Sequence, residues 1–124
     1  MVLKIFVSIP FEGRTEEQIK DAINIEHSRL VNMFHHYPVE IVTAREVMNN
    51  KKSANENFVK AISQLEKCDI CALGDGWSYS DECKLEREIA VKFGKPVVIT
   101  DTEYTPSFIE NYIVGKVLST KHVL

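Results

Sequence analysis

Two rhythms of apolar residues alternate along this chain. Leu3 to Ser8 is a short apolar run that stops at Ile9-Pro10 and predicts a strand buried on both faces. After a loop from Pro10 to Arg14, Thr15-Glu-Glu-Gln18 has the spacing of a capping box, in which threonine accepts a backbone amide and glutamine reaches back. Ile19, Ala22, Ile23, Leu30, Met33 and Phe34 then recur at helical spacing with charges between them, until Pro38 ends the unit. Val39 to Thr43 predicts a second strand. Ser53-Ala-Asn-Glu56 repeats the capping-box spacing and leads Phe58, Ala61, Ile62 and Leu65 onto one helix face. Asp69 to Leu73 predicts a third strand, closed by Gly74-Asp75-Gly76, and a helix follows from about Ser80 to Phe93 with Gly94 as its stop. Pro96 to Thr100 predicts a fourth strand. Thr105-Pro106 supplies an N-cap with proline at the first helical position. Ile109, Tyr112 and Ile113 form a stripe, Gly115 reads as its terminator, and Lys116 to Ser119 as a last short strand.

Strands alternating with helices across short connections, with no linker, repeat or low-complexity stretch, predict one α/β domain over residues 1–124. Its sheet is expected to be parallel, with about five strands and helices covering it. Ligands of such sheets bind where loops leave the carboxyl ends of the strands. Two loops meet that rule, Ser8 to Gly13 and Gly74 to Ser80, and the site is expected between them.

Composition narrows the function. The chain is 44% hydrophobic and 27% charged, as soluble globular proteins are, and its formal net charge of −3 leaves no basic excess to displace counterions from a nucleic acid polymer. Lys51-Lys52 is only a pair. The opening run is too short and too early-charged for a secretory signal, and no apolar stretch is long enough to span a bilayer, so no membrane partner is expected. Cys68, Cys71 and Cys83 are an odd count without a disulfide framework, which suits a reducing, cytoplasmic compartment. Cys68 and Cys71 form a C-x-x-C, but residues three apart in a strand face opposite sides, so they are expected to be core thiols.

Glu86 carries the strongest chemical signal. It stands with Ile89, Ala90 and Phe93 at i, i+3, i+4 and i+7, placing a carboxylate where the pattern calls for an apolar group. Burying an unpaired charge is costly, so such a placement implies a partner or a purpose; the blander alternative is a stripe that reaches the surface, with Glu86 paired to Lys84 or Arg87. Trp77 and Tyr79 lie in the preceding loop, Trp77 as a stacking wall or as a lid over the core. Ser80 suits an N-cap, and the helix amides beside it suit an anion. Asp75 and Asp81 are acid–base candidates or simple turn formers. His35 and His36 close a helix far from both loops, as partners of its dipole. No Walker-type loop, zinc spacing or nucleophile elbow is present.

The segment from Gly76-Trp77 through Ser80, Cys83, Glu86, Ala90 and Gly94 to Pro96 resembles the nucleoside 2-deoxyribosyltransferase superfamily, most of all its small deoxyribosyltransferase-like domains from bacteria and phages. Glu82 departs from the motif, where glycine is usual. Lys4 to Pro10 resembles the family's first strand and its sugar- or phosphate-contacting loop. The resemblance implies a flavodoxin-like three-layer α/β/α fold and cleavage or transfer at an N-glycosidic bond. Glu86 matches the glutamate that attacks the anomeric carbon and forms a glycosyl-enzyme, released by water or a second base. A pocket of Ser8, Pro10, Phe11, Asp75, Gly76, Trp77, Ser80 and Cys83 would hold the nucleoside or nucleotide, Ser80 favouring a 5′-monophosphate, with Asp81 a possible acid or base. The resemblance also implies no metal or organic cofactor and a homodimer or larger assembly. A second departure is Ala61, which stands where the family often has an aspartate. Its loss keeps open a non-catalytic nucleotide-binding protein, a sensor or a sequestering protein.

Overall fold

The run Leu3–Ser8 forms strand β1, and it is buried along nearly its whole length because both of its edges are paired. In the computed structural model, which describes residues 1–44, 54–100 and 106–121, the elements follow in the order β1, α1 (Glu16–Met33), β2 (Val39–Thr43), α2 (Ala54–Lys67), β3 (Ile70–Leu73), α3 (Asp81–Lys92), β4 (Val97–Ile99) and α4 (Pro106–Lys121). All described pairings are parallel, in the order β2-β1-β3-β4, with Phe6 opposite Val42 on one side and Cys71 on the other.

Alternation along the strands divides the core into two faces. Leu3, Ile5 and Val7 point toward α1 and α4, where they meet Leu30, Phe34, Ile113, Val114 and Val117. Phe6, Cys71 and Leu73 point the other way, toward α2 and α3, and meet Ala61, Leu65 and Ala90. Helices on both faces of a parallel sheet make the three-layer flavodoxin-like arrangement. No helix among the described residues is long and apolar enough to cross a membrane.

The capping box at Thr15 is formed as its spacing predicts: Gln18 N–H donates to Thr15 Oγ1 at 3.1 Å and Thr15 N–H to Gln18 Oε1 at 2.9 Å. The N-caps expected at Ser53 and Thr105 lie outside the described residues. Four expectations are corrected. The sheet has four described strands rather than about five, because Lys116 to Ser119 continues α4. Gly115 is a helix-interior residue, not among the glycines with positive φ, and Val117 beyond it stays buried on the β1 face, so packing carries the helix through the glycine. Phe93, placed on the inward stripe of α3, is 41% exposed, and Cys83 takes up that face with Glu86 and Ala90. Finally, Cys68 precedes β3 rather than lying in it, so the opposite-faces argument fails: both thiols join the same core cluster, and both are free and buried.

Gly115 gives a direct test of the continuous α4. A Cβ there would meet nothing within 4 Å. Gly115→Ala is expected to stabilise the protein by about 0.5–1 kcal/mol in denaturant titration, the usual gain for alanine in a helix interior, whereas a left-handed terminating glycine would lose stability on the same change.

Candidate functional site

In the order β2-β1-β3-β4 the chain runs outward in opposite directions from β1 and β3, so the crevice at the carboxyl ends of these two strands is the place such a sheet offers to a ligand. Their loops are tied together. Gly74 N–H donates to the Ser8 carbonyl at 3.0 Å, and Arg14 Nη2 donates to the Asp75 carbonyl at 3.3 Å. Gly74 must be glycine here, because an added Cβ would lie 2.5 Å from Ile9 Cγ2 and 2.9 Å from Glu26 Cδ. Gly76 turns the chain at φ 86°, and one tight helical turn over Trp77–Tyr79 delivers it to Ser80. Ser80 then caps α3, its Oγ accepting from Cys83 N–H at 3.2 Å.

Glu86 lies on the buried face of α3, 5% exposed, and accepts a hydrogen bond from Ser8 Oγ at 2.8 Å. Burial pushes its carboxyl up to about 7, against the lowering effect of the Ser8 hydroxyl and with a further push from the nearby charge of Glu82. Cys83, one turn earlier, is within hydrogen-bonding reach of Ser8 and Ser80; burial nevertheless raises its thiol, which therefore stays protonated. Ser8, Cys83 and Glu86, predicted separately from the sequence, form one buried group.

Between the same two loops opens a cavity of about 540 Å³ lined by Pro10, Phe11, Glu12, Arg14, Gly76, Tyr79, Ser80, Asp81 and Glu82. Pro10, Phe11, Gly76, Ser80 and Asp81 are thus brought together around one cavity. Glu86, Cys83 and Ser8 are not part of that lining; Ser80, which borders the cavity, bonds Cys83, and Ser8 bonds Glu86. Two candidates turn elsewhere. Trp77 packs on the core cluster of Phe6, Leu73 and Ala90 with the Arg87 guanidinium 5.9 Å from its ring centre, which is the lid rather than the stacking wall. Asp75 is paired with Arg29 at 3.0 Å.

Sequence reasoning missed Glu26. It is 2% exposed on the opposite face of the sheet, bonded to the Thr100 hydroxyl and to Arg29 Nη1 at 3.0 Å. Burial raises its carboxyl despite Thr100 and Arg29, while the Asp75 charge adds to the rise and the Asp75 backbone amide opposes it. Glu26 sits at the same helical phase as Ile19, Ile23 and Leu30, so the reasoning that found Glu86 also applies here. A second cavity, of about 440 Å³, lies against Glu26, Arg14 and Asp75. His35 and His36 lie beyond the end of α1 and face Glu110 of α4 rather than serving only the dipole of α1.

No family model matches this chain, and no curated protein sequence does. Among solved structures, it is similar to the 2-deoxyribosyltransferase of Bacillus psychrosaccharolyticus, with a TM-score of 0.57 and 21% identity over 92% of this chain and 95% of that one. The fold is that of a 2-deoxyribosyltransferase. A CMP N-glycosidase of Clostridium botulinum aligns with a TM-score of 0.46 and 16% identity, over 77% of this chain and 69% of that one. At these identities the chain shares with the 2-deoxyribosyltransferase its backbone arrangement, and the side chains at the crevice have to be judged on their own geometry.

The raised carboxyl of Glu86 is a statement about stability. The unfolded chain releases this proton near 4.5 and the folded one near 7, so between those values the native state binds more protons and its stability falls as pH rises. Glu86→Gln keeps an acceptor for Ser8 without the charge. It is expected to match the parent at pH 4 and to exceed it by on the order of 3 kcal/mol at pH 8, measured by urea unfolding at both pH values.

Proposed function

We propose that this protein cleaves or transfers the N-glycosidic bond of a nucleoside or nucleoside 5′-monophosphate, with Glu86 as the nucleophile. The observation that carries the reading is the Ser8–Glu86 pair, buried at the switch point of a 2-deoxyribosyltransferase fold. A carboxyl near 7 is about half ionised at neutral pH, and the ionised half is desolvated and therefore a stronger nucleophile than a carboxylate in water. In the reaction a Glu86 carboxylate oxygen forms a bond to C1′ as the C1′–N bond breaks, the electron pair leaves with the base, and the base takes a proton from water, whose hydroxide is neutralised by the proton lost when water or a second base attacks C1′ in the next step. Water or a second base then attacks C1′ and releases the carboxylate. The Ser8 hydroxyl holds the carboxylate oxygen it bonds, orienting the group toward the sugar.

To reach Glu86 the sugar passes from the open cavity between Pro10 and Ser80 toward Ser8. The described lining carries Glu12, Asp81 and Glu82 against the single guanidinium of Arg14, and Ser80 Oγ already accepts from Cys83 N–H. Of the two substrate classes, an uncharged nucleoside meets less repulsion there than a monophosphate. The reading extends to a homodimer or larger assembly, a neighbouring subunit walling the side of the cavity where Tyr79 stands 93% exposed. It also extends to a reducing cytoplasm, where the three free thiols persist.

A second reading, a protein that binds a nucleotide without cleaving it, is favoured by Ala61. This residue is 3% exposed in the wall of the core, and the nearest alternatives are committed elsewhere, Asp75 to Arg29 and Asp81 to solvent and Lys84. Incubation with a panel of nucleosides and monophosphates, with free base followed by chromatography, separates the readings. Base release that vanishes in Glu86→Ala supports the enzyme; a thermal shift with no turnover supports the binder.

The pH profile gives a sharper expectation. Because the carboxylate is the attacking form, kcat/KM is expected to rise about tenfold per pH unit below 7 and to level above it. Ser8→Ala removes the bond that lowers the Glu86 carboxyl, so the same profile should move to higher pH. An unmoved profile in that variant would detach Ser8 from the site.

A further inference from the structure

Away from the crevice, the turn after α1 and the buried side of α4 bring together three potential metal ligands. Glu110 is 2% exposed. Its Oε1 accepts the His36 backbone N–H at 3.0 Å, which leaves Oε2 facing His36 Nδ1 at 2.8 Å and His35 Nδ1 at 3.6 Å. One donor atom from each of the three residues lies within 4.8 Å of the other two. The imidazoles are 48% and 67% exposed, so the outer side of the cluster is open to water.

We propose that His35, His36 and Glu110 form a divalent-metal site, with zinc as its natural occupant, that pins α4 to the end of α1. Two imidazoles and one carboxylate are a recognised donor set for zinc, with a water completing the tetrahedron. Ligands at about 2.0–2.2 Å from a tetrahedral zinc lie about 3.3–3.6 Å from one another, so the two carboxylate–imidazole spacings of 2.8 and 3.6 Å are already close to those of a coordination sphere, and rotation of the exposed imidazoles completes it. The carboxylate is ready for this role. The carboxylate is already fixed by the His36 backbone amide, the kind of support that orients a ligand before the metal arrives. No motif search finds such a site, because two ligands are sequence neighbours and the third lies 74 residues beyond His36. The occupant holds two helices together and takes no part in the chemistry at Glu86.

The test is zinc titration of protein carrying no histidine tag, by calorimetry and by metal analysis after dialysis. One equivalent is expected, with a rise in melting temperature. His36→Ala, at an exposed position that should not disturb folding, is expected to lose at least about a hundredfold in affinity together with the thermal shift, at or beyond the upper end of what loss of a supporting residue costs at such sites. Cobalt(II) in place of zinc should show no thiolate charge-transfer band, since Cys68, Cys71 and Cys83 are uninvolved. Absence of binding, binding unchanged in His36→Ala, or a cobalt–thiolate band would each overturn the proposal, the first leaving a plain carboxylate–imidazole contact between the two helices.

Discussion

A carboxylate taken out of water and given a neutral hydroxyl as its hydrogen-bond donor is the constraint on which the crevice depends. Ser8 and Glu86 are 78 residues apart in sequence, and they meet only because β1 ends where the first turns of α3 cross it. Desolvation penalises the charged form, and one hydroxyl cannot restore what several waters supplied, so the balance settles near neutrality rather than near the ordinary carboxylate value. Geometry at the β1–β3 switch point thereby becomes chemical poise.

Three glutamates are buried among the described residues, and the fold treats each differently. Glu86 keeps a neutral partner and is left near its titration point. Glu26, across the sheet at the same end, is held by Arg29 and Thr100 and reaches the Asp75 backbone, which fixes the loop that carries Gly74 to Gly76. Glu110 sits among imidazoles and stays below its ordinary value. Partner chemistry as well as burial sets each carboxyl, raised at Glu86 and Glu26 and lowered at Glu110. The two carboxylates at the crevice divide the work: one side of the sheet holds the loops in register, and the other presents the group they enclose.

Much of this was legible in the residues. The Leu3–Ser8 run and the Thr15–Gln18 spacing each encode local physics that tertiary packing only confirms, and on α3 the phase holds at Glu86 and Ala90 but not at Phe93. Glu86 could be found because it breaks an otherwise apolar helical stripe. Glu26 and Glu110 break their stripes in the same way, but one is crowded by the many charges of α1 and the other lies just ahead of a glycine that reads as a stop. Gly115 misled because glycine permits a left-handed turn without requiring one, and buried Val117 outweighs the propensity cost. The partnership of Cys68 with Cys71 was misjudged for a related reason: strand alternation holds only inside the strand, and β3 begins two residues later than Cys68. The ion pair of Asp75 was not legible, since Arg29 reaches it only in three dimensions, whereas the packing of Trp77 on the core is one of the two roles its position in the loop suggests.

The wall at Ala61 sets the chemical burden of the proposed reaction. Breaking an N-glycosidic bond requires both an attack on C1′ and a proton for the departing base. A site with two carboxylates can assign one to each task. Here the second position is a methyl group in a dry core, Asp75 is neutralised by Arg29, and Asp81 points to solvent. Glu86 can exist as acid or as base near neutral pH, but one group cannot attack and donate in the same step. Departure therefore falls to the base itself, helped by whatever water reaches it through the open cavity. Under the proposed reaction such a site would favour substrates whose base accepts a proton and leaves readily, and would turn the others over slowly. Slow cleavage and retained binding would then be two ends of one scale, set by Glu86.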